Sequence, residues 1–327
     1  MHSNLVYAAP RWLPGGQAQT IWPALFSRRH FGARPQYRRE RWDTPDADFV
    51  DIDFSTLVIP ADAPLLVLFH GLEGSSRSHY AEAFADWAAQ QGIAYAVPHF
   101  RGCSGEINRA PRAYHSGDYE EIGWILARLK RENPRRKIMA VGVSLGGNAL
   151  LRWAQEMGDL ASQIVSAVTS VCSPIDLTAS GHAIGRGFNR QVYTRMFLRT
   201  MKPKALERLA LHPGLFNRAK LEATRDLYEF DNIFTAPVHG FKNTDDYWSR
   251  ASAKPHLHRI CIPALVVNAQ NDGFVPASSL PAQHEVGKYV MLWKPRHGGH
   301  VGFPAGRPPG HVRALPDLVG QWLLEHS

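Results

Sequence analysis

KIMAVGVSLGGNALLRWAQEM, residues 137–157, reads as a short buried strand, a tight turn lined by glycine, and an amphipathic helix. Lys137–Val141 is an apolar run too short for a helix, and from Gly147 to Met157 the apolar residues recur at helical spacing. Between the two lies Gly142-Val143-Ser144-Leu145-Gly146, a G-x-S-x-G pattern. The pentapeptide alone is weak evidence; its position between a strand and a helix makes it specific. A side chain presented from so sharp a turn sits in a strained backbone region with other chains packed close by. Glycines two residues to either side clear that space. The hydroxyl then stands at the carboxyl edge of a sheet, at a helix N-terminus whose free N–H groups favour negative charge. Ser144 is therefore the candidate nucleophile.

The same alternation extends in both directions. Leu65–Phe69, Ile93–Val97, Ile164–Val171, Leu265–Ala269 and Tyr289–Trp293 are further short apolar runs, and Phe49–Phe54 alternates with period two. Helical spacing appears at Ser78–Gln91, Asp118–Lys130 and Val312–His326. Short buried strands alternating with amphipathic helices predict a mostly parallel sheet covered on both faces. Residues 1–45, rich in Pro, Arg and Trp, read as an irregular extension. Residues 176–254 hold helical pieces without a core strand, which predicts a helical lid inserted into a single domain spanning 1–327.

Composition narrows the class. Apolar residues make up 44% of 327, enough for a large core. The three cysteines, Cys103, Cys172 and Cys261, are too few and odd in number for a disulfide framework, so a reducing, cytoplasmic setting is expected. Met1–Pro10 lacks the basic start and apolar run of a signal peptide, and no stretch approaches 18 apolar residues. The formal charge is +8, carried largely by Arg28–Arg41 and Arg186–Arg225. Such stretches are most often solvated faces; the alternative weighed for them is weak contact with an anionic membrane surface. No nucleic-acid-binding motif accompanies them, so no nucleic-acid partner is expected.

A serine hydroxyl needs a base, and the base an orienting acid. On a sheet of this kind the chain order is Ser, then Asp or Glu, then His, each just past a strand. Asp272, in Asn271-Asp272-Gly273, follows the strand Leu265–Ala269; Asp176, past the strand ending near Val171, is the rival acid. His300, in His297-Gly298-Gly299-His300, follows Tyr289–Trp293, and the glycine pair frees its loop to approach Ser144. On spacing alone His297 remains a rival base. No further pair of ligands completes a metal site. His70-Gly71-Leu72-Glu73-Gly74 follows the first buried strand, which makes the backbone N–H groups of Leu72 and Leu145 the expected oxyanion donors.

Several blocks together resemble the YheT-type α/β-hydrolases. They are HGLEGSS (70–76), FRGCSGE (100–106), YHSG (114–117), GVSLGGN (142–148), Phe230-Asp231, Thr235-Ala236-Pro237, His239-Gly240-Phe241 and HGGHVGF (297–303). The resemblance spans most of the chain. It implies an α/β-hydrolase fold and a carboxylesterase or lipase-like activity through Ser144, Asp272 and His300, and it favours His300 over His297. It departs from the family pattern at Val143, where Tyr is frequent, and at Asp272-Gly273-Phe274, where Asp-Pro-Phe is frequent.

The resulting expectation is hydrolysis of acyl esters of short- to medium-chain acids or lipids, with a small-molecule ester as substrate and without a cofactor. Acyl transfer to an alcohol by the same residues is the first rival, and a non-catalytic binding protein on this scaffold the second. Tyr193, Met196 and Phe197, apolar residues set among arginines on an expected lid helix, are the candidate acyl-pocket residues.

Overall fold

The computed structural model describes residues 5–327; the first residues of the extension, 1–4, lie outside the described residues. Eight strands form one sheet: β1 (Tyr37–Asp43), β2 (Phe49–Ser55), β3 (Leu65–Phe69), β4 (Ala94–Pro98), β5 (Ile138–Val143), β6 (Ala167–Val171), β7 (Ala264–Val267) and β8 (Val290–Trp293). Their spatial order is β1-β2-β4-β3-β5-β6-β7-β8. Pairing is antiparallel in β1–β2 and β2–β4 and parallel throughout the rest.

Both faces of the parallel part of the sheet are covered, which is why β3 to β8 are largely apolar. Leu65, Val67 and Phe69 of β3 pack on one side with helices α3 (Tyr119–Glu132) and α4 (Leu145–Met157), through Ile122, Leu126, Leu150 and Trp153. Leu66 and Leu68 point the other way, toward Phe84 and Trp87 of α2 (His79–Gln90) and Leu315, Val319 and Trp322 of the C-terminal helix (Ala314–His326). Each such fully buried side chain contributes about 1.5–3 kcal/mol.

The extension is more regular than its composition suggests. It holds helix α1 (Gly16–Leu25) as well as β1. The strand YRRERWD carries charge at most positions because it is an edge strand. Its arginines pair across to β2, Arg39 with Asp53 at 2.7 Å and Arg41 with Asp51 at 2.8 Å. Arg29 and Arg34 both reach Glu82. The first basic stretch is thus largely neutralised by ion pairs.

Between β6 and β7 the chain makes a helical excursion. Leu177–Ile184 forms α5, and residues 187–211 form one long helix with a wider, π-helical turn at Arg190–Thr194. Shorter helices follow at Arg218–Ala223 and Thr244–Ala251, with residues 227–238 between them carrying a second π-helical turn at Asp231–Thr235. Among the described residues no helix is long and apolar enough to cross a membrane.

Candidate active site

Ser144 stands in the turn from β5 to α4 with φ 52° and ψ −121°. That left-handed backbone is costly for a residue with a β-carbon and persists only where the surroundings enforce it. Here they do. A β-carbon on Gly142 would fall 2.4 Å from Cα of Gly147, and one on Gly146 would fall 2.4 Å from the carbonyl oxygen of His70. The elbow is therefore wedged between α4 and the loop after β3. The Ser144 N–H donates to the Val171 carbonyl at 2.8 Å, tying the turn to the end of β6.

His300 Nε2 lies 3.0 Å from Ser144 Oγ, and His300 Nδ1 lies 2.8 Å from Asp272 Oδ2. The three groups come from the loops after β5, β7 and β8 along the carboxyl edge of the sheet, with β6 lying between β5 and β7. Asp272 is buried, and its second oxygen accepts from the Phe274 N–H at 2.7 Å. Phe274 also stacks on the His300 ring at 4.1 Å between centroids. The carboxylate and imidazole are thus fixed in rotation before any substrate arrives. The rivals lie elsewhere: Asp176 caps α5 and pairs with Lys254, and His297 is exposed to solvent.

In the loop after β3, Gly71 N–H donates to Tyr80 Oη, Glu73 N–H to Tyr114 Oη, and Gly74 N–H to the Gly71 carbonyl. The Leu72 N–H in their midst has no acceptor among the described residues. Leu145 is the first residue of α4, where an N–H has no partner within the helix. Both donors flank Ser144 in the same pocket. His70 is wholly buried: its Nε2 accepts from the Phe100 N–H at 3.1 Å and its Nδ1 lies 2.7 Å from the Gly71 carbonyl. Burial lowers its pKa to about 3, so it stays neutral and serves as a brace for the loop. Burial likewise pushes the Cys103 thiol up to about 12, in keeping with a packed rather than a reactive cysteine.

Two supports were assigned no role from the sequence. The first is α1. Gln19 Oε1 accepts both from Asn271 Nδ2 at 2.9 Å and from the Gly298 N–H at 3.0 Å, so one amide joins the Asp272 loop to the His300 loop. Thr20 Oγ1 accepts from the His300 N–H at 2.8 Å. A Gln-Ala-Gln-Thr segment without a motif gives no hint of this; only its position in space does. The second is Glu73, at φ 57°, which holds Tyr114 Oη at 2.9 Å and Lys204 Nζ at 2.7 Å and so straps the helical excursion to the loop after β3.

Ser144 and His300 open into a pocket of about 1130 Å³, its mouth included. Leu177, Ile184, Phe230, Phe234 and Trp248 line much of it, all from the helices between β6 and β7. Of the three side chains expected there, only Phe197 reaches the lining. Met196 is 52% exposed on the outer face, and Tyr193 is buried behind Phe274, its hydroxyl donating to Gln17 Oε1 at 2.7 Å. The expectation is corrected for a geometric reason. Phe197 and Met196 are adjacent in sequence and so lie about 100° apart around the helix. Tyr193 sits within the π-helical turn, where 3.6-residue spacing does not hold.

A mostly parallel sheet with a strained serine elbow and an Asp–His pair at its carboxyl edge defines the α/β-hydrolase class. A family model described as the alpha/beta hydrolase fold matches residues 64–306. The putative esterase YheT of Escherichia coli strain K12 is 42% identical over 314 residues, covering 94% of this chain and 90% of that protein. Human phospholipase ABHD3 is 26% identical over 97% of this chain and 78% of its own length. Among solved structures, mouse alpha/beta hydrolase domain-containing protein 10 superposes with a TM-score of 0.56 at 13% identity, over 89% of this chain and all of that one. The chain belongs to the α/β-hydrolase family, among its YheT-like members.

Proposed function

We propose that this protein is a serine hydrolase of carboxylic esters, acting through an acyl-enzyme on Ser144. One observation carries the reading: Ser144 Oγ, the His300 ring and the Asp272 carboxylate form an unbroken relay, with contacts of 3.0 and 2.8 Å, at the mouth of an apolar pocket. The esterase and phospholipase names of its relatives are in keeping with it.

His300 takes the Ser144 proton as the oxygen attacks the ester carbonyl. Charge then develops on the carbonyl oxygen, within reach of the Leu72 and Leu145 N–H groups. A donor of that kind is worth about 3 kcal/mol in the transition state. Asp272 keeps the imidazole in the required tautomer and stabilises its protonated form. His300 next returns the proton to the departing alkoxide. Water then attacks the acyl carbon as His300 takes its proton; the bond to Ser144 Oγ breaks, His300 returns the proton to that oxygen, and the carboxylic acid leaves. The helices between β6 and β7 act as a lid, their apolar lining receiving the acyl chain.

A fluorophosphonate probe tests the assignment. It should label the wild-type protein and fail to label a folded Ser144→Ala variant, whose ester hydrolysis should fall by at least about 1000-fold. Labelling that survives the substitution would move the nucleophile elsewhere.

A further inference from the structure

The lid helix at residues 187–211 presents a graded face to the pocket. Phe197, Met201, Lys204, Ala205 and Arg208 all line it, at the spacing of successive turns. The face begins apolar and ends basic. Phe197 packs with the Phe274 cluster beside His300. Arg208 lies three turns further on, roughly 16 Å along the helix axis, beside Gly102 and the Ala110–Pro111 segment.

Arg208 differs from the other charges there. It is 3% exposed and forms no ion pair among the described residues. Its Nη1 makes two long bonds, 3.3 and 3.4 Å, to the carbonyls of Ala110 and Pro111; its Nε and Nη2 have no protein acceptor among the described residues. Every nearby carboxylate is already engaged. Asp48 accepts from Arg101, Asn108 and the N–H groups of Arg109 and Ala110. Glu73 is held by Lys204 and Tyr114, Glu121 by Arg101, and Asp231 accepts from Trp248 Nε1. A buried guanidinium without a counter-charge is expensive to maintain. Burial accordingly lowers its pKa to about 10, which still leaves it charged at neutral pH.

We propose that Arg208 is the receptor for an oxyanion carried by the substrate, so that the preferred esters bear a phosphate or carboxylate as well as an acyl chain. The fork of unused N–H groups suits such a group, which accepts two parallel bonds from a guanidinium. Lys204, one turn back on the same face, is paired with Glu73, so its charge is balanced where that of Arg208 is not. Two placements of the oxyanion satisfy this site: a phosphate on the alcohol side of the ester bond, or a carboxylate at the far end of the acyl chain. The proposal rests on the ester-hydrolase reading only for the reaction. The anion site itself is read from the pocket.

Two matched pairs of probes test it. One is 1-decanoylglycerol 3-phosphate against 1-decanoylglycerol; the other is monomethyl sebacate against methyl decanoate. The wild-type protein should turn over the charged member of one pair with a kcat/KM at least tenfold higher, and that pair identifies the side on which the anion sits. Arg208→Gln should reduce the charged-to-neutral ratio at least tenfold, and Arg208→Lys should restore part of it. A ratio near one for both pairs in the wild type overturns the proposal without any variant, as does an unchanged ratio in folded Arg208→Gln. Calorimetry on Ser144→Ala keeps the two readings separate. At least tenfold tighter binding of a charged probe, lost with Arg208→Gln, supports the anion site even if no ester is cleaved; equal binding of both members of each pair removes it even if esters are cleaved.

Discussion

Gly146, in the elbow that carries Ser144 beneath the pocket, and Gly181, in the pocket's roof, are both too crowded for a β-carbon. What crowds them differs. At Gly146 the obstruction is backbone, with the carbonyl oxygens of Phe69 and His70 at 2.4–2.5 Å from the would-be carbon. At Gly181 it is the ring of Trp248, at 2.3–2.6 Å. The floor is strand and loop pressed against helix, with nothing able to swing aside. The roof is side chain against side chain, which can repack. A floor of the first kind holds a strained serine; a roof of the second kind can alter its shape, in the proposed function to suit an acyl group, without disturbing the elbow beneath it.

The sharpest way to break this contrast is Gly146→Ala. Its new methyl group should force the elbow away from the loop after β3, lowering ester hydrolysis by about 100-fold or more and Tm by several degrees. Gly181→Ala should lose much less of either. Equal losses, read from kcat/KM and thermal melts of the two proteins, would mean that the floor is no stiffer than the roof.

Gln19→Ala probes the floor from behind. It removes the amide that joins the Asp272 and His300 loops while leaving the reacting groups in place. The expected result is a fall in kcat of about 10-fold to 100-fold with little change in KM. Ser144 should still react with a fluorophosphonate, only more slowly. A rise in KM with kcat preserved would instead place Gln19 in substrate binding.

The smallest effect belongs to the roof. Burial pushes the Asp231 carboxyl up to about 6 from its usual 3.8. In the unfolded chain this group has lost its proton before the folded chain releases it, so folding takes up a proton between those values. Its contribution to stability is therefore full below about pH 4 and is lost as pH rises through about 6. Asp231→Asn should be close to neutral near pH 4 and more stable than wild type at pH 8. Melting curves across that range check it, and a gain that is the same at both ends would deny that the charge is responsible.

The same contrast explains what could be read from the chain. The floor was legible because its geometry admits few residue types: G-x-S-x-G between strand and helix, an Asp past one strand, a His past the next. The apolar runs located seven of the eight strands, β2 by its alternation. β1 escaped because an edge strand laced by arginine–aspartate pairs has the composition of a loop. The roof could be recognised as helical but not oriented. Two π-helical turns, at Arg190–Thr194 and Asp231–Thr235, shift the faces that a regular period would assign, which is how Met196 and Tyr193 came to be expected in the pocket. Gln19 was hidden for a third reason: its partners lie about 250 and 280 residues away in the chain.

That separation has a consequence for the order of events during synthesis. The chain leaves the ribosome N-terminus first, so α1 emerges long before the two loops it must join. Until residues 271–300 have been made, the Gln19 and Thr20 side chains can bond only within their own segment, to the Leu13 and Gly16 carbonyls, and no nascent fragment ending earlier contains the Ser144–His300–Asp272 contacts. Helix α1 thus cannot bridge the two loops until Gly298 and His300 have emerged, about 280 residues after it.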